Sequence, residues 1–219
     1  MKNKLPLVVF IVVCIIDLFG IYSDNITIVY IAKPLLMITL FWYYYMNTKV
    51  LNSYFVLGLA GSFLGDVFLM GTGEMYFLLG LLFFLMAHVF YIIMVVKSLM
   101  ETRASQILLA SIPYVLIFIA LLAILYSSLG AMKIPVIIYA ITISVFGTVS
   151  LIFHLQSKTK ATLILVIGVF IFIMSDAVLA LNLFYEEQSF YPILIMTTYV
   201  LAQYLICSFA LLSIQNSKK

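Results

Sequence analysis

The residues of this chain that can move protons or hold charge are few, and most lie where charge is expensive. Lys33, Asp66, His88 and Asp176, with the neutral Tyr91, Asn182, Tyr199 and Gln203, all fall inside long apolar runs. A charged side chain at the centre of a bilayer costs about 3 kcal/mol on insertion scales, so such residues face a bundle interior or a wet cavity, and each is a candidate site. Two carboxyl groups in unlike surroundings suit acid catalysis, one donating a proton and the other staying anionic. A lysine beside them is a point charge for a carboxylate or a phosphate. For His88 alone the plainer role is an interhelical hydrogen bond, which averages about 0.6 kcal/mol. Packing accounts less well for two aspartates and a lysine, because neutral residues would serve it at lower cost. Asp17 differs: three residues from the end of its apolar run, it is expected to reach the interface.

The elements that carry these groups follow from composition. The 219 residues are 66% hydrophobic and 9% charged, where a soluble domain carries about 25% charge. A soluble catalytic module is therefore excluded. The net charge of +3 is scattered over segment ends, with no basic stripe for nucleic acid. Cys14 and Cys207 sit in apolar runs and form neither a disulfide framework nor a metal motif. One histidine and two aspartates on distant segments match no dependable ligand spacing, so no metal and no cofactor is expected. Met1-Lys2-Asn3-Lys4 before an apolar run has the look of a signal peptide, but no small-residue cleavage site follows, and it reads as a retained first helix.

A helix needs roughly 20 apolar residues to cross about 30 Å of hydrocarbon. Eight runs approach that length, at about 5–20, 26–46, 52–70, 77–96, 105–127, 134–154, 161–183 and 190–214. The fold class is thus all-α, a polytopic membrane bundle of eight transmembrane helices forming one domain over 1–219. With alternate loops assigned to the cytoplasm, the inside set holds Lys2, Lys4, Lys49, Lys97, Arg103, Lys158, Lys160, Lys218 and Lys219, and the outside loops hold Lys133 alone. The positive-inside rule then places both termini in the cytoplasm, in the inner cell membrane.

That orientation sets depths. At about 1.5 Å per residue from the outer end, Asp66 lies about 6 Å deep, Lys33 and Asp176 about 10 Å, Tyr199 about 14 Å, His88 about 16 Å and Gln203 about 20 Å. Gly58, Gly61 and Gly65 share a helical face and permit close helix approach beside Asp66. Pro34 removes a backbone donor and should free a carbonyl near Tyr30. Tyr199 and Gln203, four apart, share a face. Gly65-Asp66-Val67-Phe68-Leu69 and Ser175-Asp176-Ala177-Val178-Leu179 echo one another four spans apart, the spacing that a four-plus-four duplication produces.

Taken in order, Lys33-Pro34, Gly65-Asp66-Val67-Phe68-Leu69, Phe77-x-x-Gly80-Leu81-x-Phe83-Phe84-x-x-x-His88-x-x-Tyr91, Ser175-Asp176-x-x-Leu179 and Tyr199-x-x-x-Gln203 make the chain resemble the YhhN-like lysoplasmalogenase family. The resemblance runs from span two to span eight, and span one, spans five and six and the loops contribute nothing to it. It implies an eight-helix membrane hydrolase that cleaves the vinyl-ether bond of lysoplasmalogens, releasing a fatty aldehyde and glycerophosphocholine or glycerophosphoethanolamine. The motif aspartates of the family fall on Asp66 and Asp176.

Acid protonation of a vinyl ether leaves an oxocarbenium ion that water captures, and two unlike carboxyls suit it as they suit glycosidases. By depth, Asp176 is expected to be the acid and Asp66 the anion, the latter with Lys33 near it. Lys33 alternatively meets the lipid phosphate, while His88, Tyr91, Asn182, Tyr199 and Gln203 position water or head-group oxygens. The partner is then a lysophospholipid within the membrane. The alternative functions are a small proton-coupled transporter, since acids on repeat-related helices also mark ion pathways, and a lipid-binding membrane protein.

Overall fold

A computed structural model describes residues 3–216, with side chains through Ser213. Lys2, Lys218 and Lys219, which enter the charge count above, lie outside the described residues. Eight α-helices follow one another: α1 Leu5–Tyr22, α2 Ile26–Asn47, α3 Ser53–Leu69, α4 Glu74–Val96, α5 Ala104–Leu125, α6 Lys133–Ser157, α7 Lys160–Phe184 and α8 Tyr191–Asn216. A single 3₁₀ turn, Gly130–Met132, leads into α6. There is no strand among the described residues.

Seven of the eight helices are long and apolar enough to cross a membrane. The exception is α3, whose 17 residues span about 26 Å, a little short of the hydrocarbon thickness. The expected run 52–70 loses residues at both ends for a local reason. Asn52 is the N-cap, its side chain accepting from the backbone N–H groups of Tyr54 and Phe55, and Gly71 and Gly73 break the chain after Met70. Other ends move outward, α4 starting at Glu74 rather than Phe77 and α6 at Lys133. Gly73, with φ +99°, makes the turn that a side chain would strain. The helix α2 runs unbroken through Pro34.

Seven helices close into a ring in the order α1, α2, α3, α4, α6, α7, α8 and back to α1. The remaining helix, α5, lies outside the ring against α6 and α7, and buries only Ala110, Tyr114 and Leu125. Shifting by four helices maps α1–α2 onto α5–α6, α2–α3 onto α6–α7, α3–α4 onto α7–α8 and α2–α8 onto α4–α6, all of them packed pairs. The neighbour pattern therefore agrees with a four-plus-four arrangement. It departs from strict symmetry where α1 packs on α8 while α5 packs on α7.

Glycines set the closest approach. Side chains at Gly58 and Gly65 would run into the rings of Tyr91 and Phe84, and one at Gly61 would press on the Phe83 carbonyl and Ala87. The shared glycine face of α3 is thus the seat of α4. Polar contacts tie the two ends of the bundle. At one end the Asn3 backbone N–H donates to Asn47 (2.9 Å) and Gln156 reaches the chain at Met100 and Thr102, so Lys4, Lys49, Lys97, Arg103, Lys158 and Lys160 gather there. At the other end the Tyr30 hydroxyl donates to the Met70 carbonyl at 2.8 Å.

Candidate functional site

Each motif aspartate is held by its own tyrosine. Asp66, in the last turn of α3 and only 3% exposed, accepts a hydrogen bond from the Tyr199 hydroxyl at 2.7 Å. Behind Tyr199 runs a buried polar chain across the ring. The Tyr91 hydroxyl of α4 donates to Gln203 Oε1 at 3.0 Å, and Gln203 Nε2 of α8 donates to Ser62 Oγ of α3 at 2.8 Å and more weakly to the Tyr199 hydroxyl at 3.5 Å. Glycine makes this possible, because Tyr91 sits over Gly58.

Asp176 belongs to a second system. Its Oδ2 accepts from the Tyr139 hydroxyl of α6 at 2.6 Å. His88 stands beside this pair, its ring edge-on to Phe172 at 4.7 Å and to Tyr139 at 5.4 Å between centroids. It is fully buried and neither ring nitrogen has a partner. Phe84 and Phe172 separate the two systems, both packing edge-on against Tyr199, at 5.8 and 5.5 Å. Asp66 and Asp176 thus occupy neighbouring compartments with an aromatic partition between them.

Open space distinguishes them. A vestibule of about 500 Å³ is lined by Lys33, by Gly71, Gly73 and Glu74 of the α3–α4 turn, by the α5–α6 turn from Ser128 to Met132, and by Leu179, Leu183 and Phe184. It narrows into a slot of about 50 Å³ that shares Leu69, Phe77, Leu179, Leu183 and Phe184 with it and ends on Asp176, Tyr139 and Phe84. A crevice of about 50 Å³ continues from Asp176 and Tyr139 between α5, α6 and α7, past Ile117, Phe118, Leu121, Ile143 and Ser144. Asp176 lines both the slot and the crevice, and Asp66 lines none of the three.

A comparison with protein families matches the model described as the YhhN family over residues 28–209. The chain belongs to the YhhN family. No curated protein and no solved structure matches it. The YhhN match covers α2 to α8 almost whole and stops short of α1, in keeping with the resemblance read from spans two to eight.

Within this YhhN framework the structure joins Asp66, Tyr199, Gln203 and Tyr91 in one network and places His88 beside Asp176. Lys33 is half-buried at the vestibule wall. Asn182 is part-buried near the end of α7, and its side-chain oxygen has no partner. Two participants escaped sequence reasoning. Tyr139, the partner of Asp176, is one of 15 tyrosines and has no motif around it. Ser62, the partner of Gln203, lies four residues after Gly58 on the same face of α3, a spacing that could have marked it. One expectation is overturned: Asp17 does not reach the interface, being 1% exposed with both carboxyl oxygens unpartnered. Its helix continues two residues beyond Gly20, and its side chain faces the bundle rather than the lipid.

Among the described residues no group of three or more metal-ligating side chains converges.

Proposed function

We propose that this YhhN-family chain is a membrane hydrolase of lysoplasmalogens, with Asp176 as the acid. The observation that carries the reading is the Asp176–Tyr139 pair at the foot of a narrow apolar slot, open to a vestibule that bears both Lys33 and Glu74. Opposite charges at the vestibule suit the phosphate and the amine of a zwitterionic head group. The slot suits the vinyl ether, and the crevice leads its hydrocarbon chain toward α5 and the lipid.

In this pose the Asp176 carboxyl, held by Tyr139, gives its proton to the vinyl carbon that does not bear oxygen. The neighbouring carbon becomes an oxocarbenium centre facing the new Asp176 carboxylate. Water adds to that carbon and returns a proton to Asp176, leaving a hemiacetal. The hemiacetal collapses to fatty aldehyde and the free glycerol hydroxyl, so one water is consumed and the acid is regenerated. Asp66, near Lys33 and tied to Tyr199, contributes negative potential through the aromatic partition. His88 packs edge-on against Tyr139 and backs that ring beside Asp176.

We place all eight helices in the inner cell membrane, α3 included, with both termini cytoplasmic and the vestibule at the outer face. Bilayer thinning or the polar turns at its ends accommodate the short α3. Protein reconstituted in lipid discs with a lysoplasmalogen should release aldehyde and glycerophospho-alcohol in equal amounts. Asp176→Asn should lower the rate at least about a hundredfold with folding unchanged. Full activity of that variant would sink the acid assignment. Intact lipid together with substrate-dependent proton flux would favour the carrier, and binding with neither would favour a lipid-binding protein.

A further inference from the structure

Asp17 is a buried carboxyl that the proposed reaction leaves unused. It lies on α1, outside the span of the family match, and its two oxygens are buried without a hydrogen-bond partner. A buried polar group in that condition costs free energy unless something compensates it. Ionisable groups within a membrane pair with one another for the same reason.

The hairpin register shows what faces it. Gly20 packs directly on Ile28 and Val29 of α2. One helical turn farther from the α1–α2 turn, Asp17 therefore stands opposite Ala32 and Lys33. Ala32 is 2% exposed and its methyl side chain leaves room beside it. The Tyr30–Met70 hydrogen bond sets the α2–α3 register in the same way, and one turn deeper it brings Asp66 of α3 level with Lys33. Lys33 thus stands at the level of two carboxyls, one on each neighbouring helix, and it also lines the vestibule.

We propose that Asp17 is a positioning residue, the standing counter-charge of Lys33, which keeps the ammonium at the vestibule wall where the phosphate of a lysophospholipid binds. This rests on the vestibule being the head-group site. With Asp17 neutralised, Asp66 and Glu74 are the acids left near Lys33, and the ammonium leaves the position that Asp17 sets. Asp17 touches no substrate in this arrangement; it acts through Lys33.

Two measurements on the purified full chain in detergent test it, and neither requires turnover. The first is a thermal-stability cycle of Asp17→Asn, Lys33→Met and the double variant. Coupled charges predict that the double variant loses less stability than the two single losses added, because Lys33→Met strands the buried Asp17 carboxylate and Asp17→Asn relieves it. Simple additivity overturns the pairing. Should Asp17→Asn alone fail to fold, recovery of folding in the double variant shows the same coupling, and failure of both overturns it.

The second is affinity for an acyl lysophosphatidylcholine, with an ester in place of the vinyl ether, set against the matching monoacylglycerol without phosphate. Asp17→Asn should weaken binding of the phospholipid roughly two- to fivefold, the scale of a partly solvated charge contact. Monoacylglycerol binding should not change, and Asp17→Glu should restore the phospholipid. Equal loss on both lipids, no loss on either, or a native protein that does not prefer the phosphate-bearing lipid would each overturn the positioning role. A chain that binds as expected yet leaves lysoplasmalogen intact would remove the hydrolase reading and leave this one standing.

Discussion

Tyr139 does for Asp176 what Tyr199 does for Asp66: it fixes one carboxyl oxygen and leaves the other free. For the proposed protonation of carbon by Asp176, orientation matters as much as strength, since carbon offers no lone pair to guide the proton. Tyr139→Phe should keep the fold and lower lysoplasmalogen turnover about ten- to a hundredfold, measured as aldehyde release with a thermal melt as control. Native-like turnover would show that Asp176 needs no such anchor. Much of this site is legible in the sequence, because Asp66, Asp176 and Gln203 are polar residues in apolar runs and carry their own signal. Tyr139 carries none. Tyrosine is at home in membrane helices, and only the neighbour across the helix interface separates the partner of a buried aspartate from an interfacial ring. Asp17 shows the opposite failure: nearness to a helix end suggested snorkelling, but the direction of its side chain is set by the packing of α1 on α2.

At the scale of elements, the glycine face of α3 decides the geometry of the site. Tyr91 lies over Gly58 with its hydroxyl on Gln203, so the α3–α4 contact and the polar chain to Asp66 are one construction. Gly58→Ala gains about 1 kcal/mol of helix propensity at most, while overpacking against a buried ring costs about 1–3 kcal/mol. The variant should therefore melt at a lower temperature, and its Tyr91 should leave Gln203. A higher melting temperature would mean that Tyr91 has room to move. The sequence showed that Gly58, Gly61 and Gly65 share a face, since 3.6 residues per turn require it. Which helix lies on that face was not written there, because any neighbour can fill a groove of small residues.

At the scale of the molecule, the ring order brings α6 and α7 together, and α8 across from α3, so that residues more than a hundred positions apart share hydrogen bonds. The vestibule opens at the end opposite the cluster of basic residues. In the orientation proposed from the positive-inside rule, the vestibule faces outward. In a Cys14→Ala, Cys207→Ala background, Glu74→Cys should react with a membrane-impermeant maleimide in intact cells, and a reporter at the C-terminus should be cytoplasmic. Labelling only after permeabilisation would reverse the orientation and the route by which the lipid arrives.

The sequence alone determined what depends on composition and period: an apolar helical bundle, the approximate spans, the acids within them and the family to which their motifs point. Those properties are local, since hydropathy and helical spacing are set residue by residue. The tertiary structure decided which tyrosine holds which aspartate, that an aromatic partition separates the two acids, that Asp176 rather than Asp66 meets the open slot, and that Asp17 turns inward and is buried. These depend on the rotation and order of helices in the ring, which arise from mutual packing and are not encoded in any single run of residues.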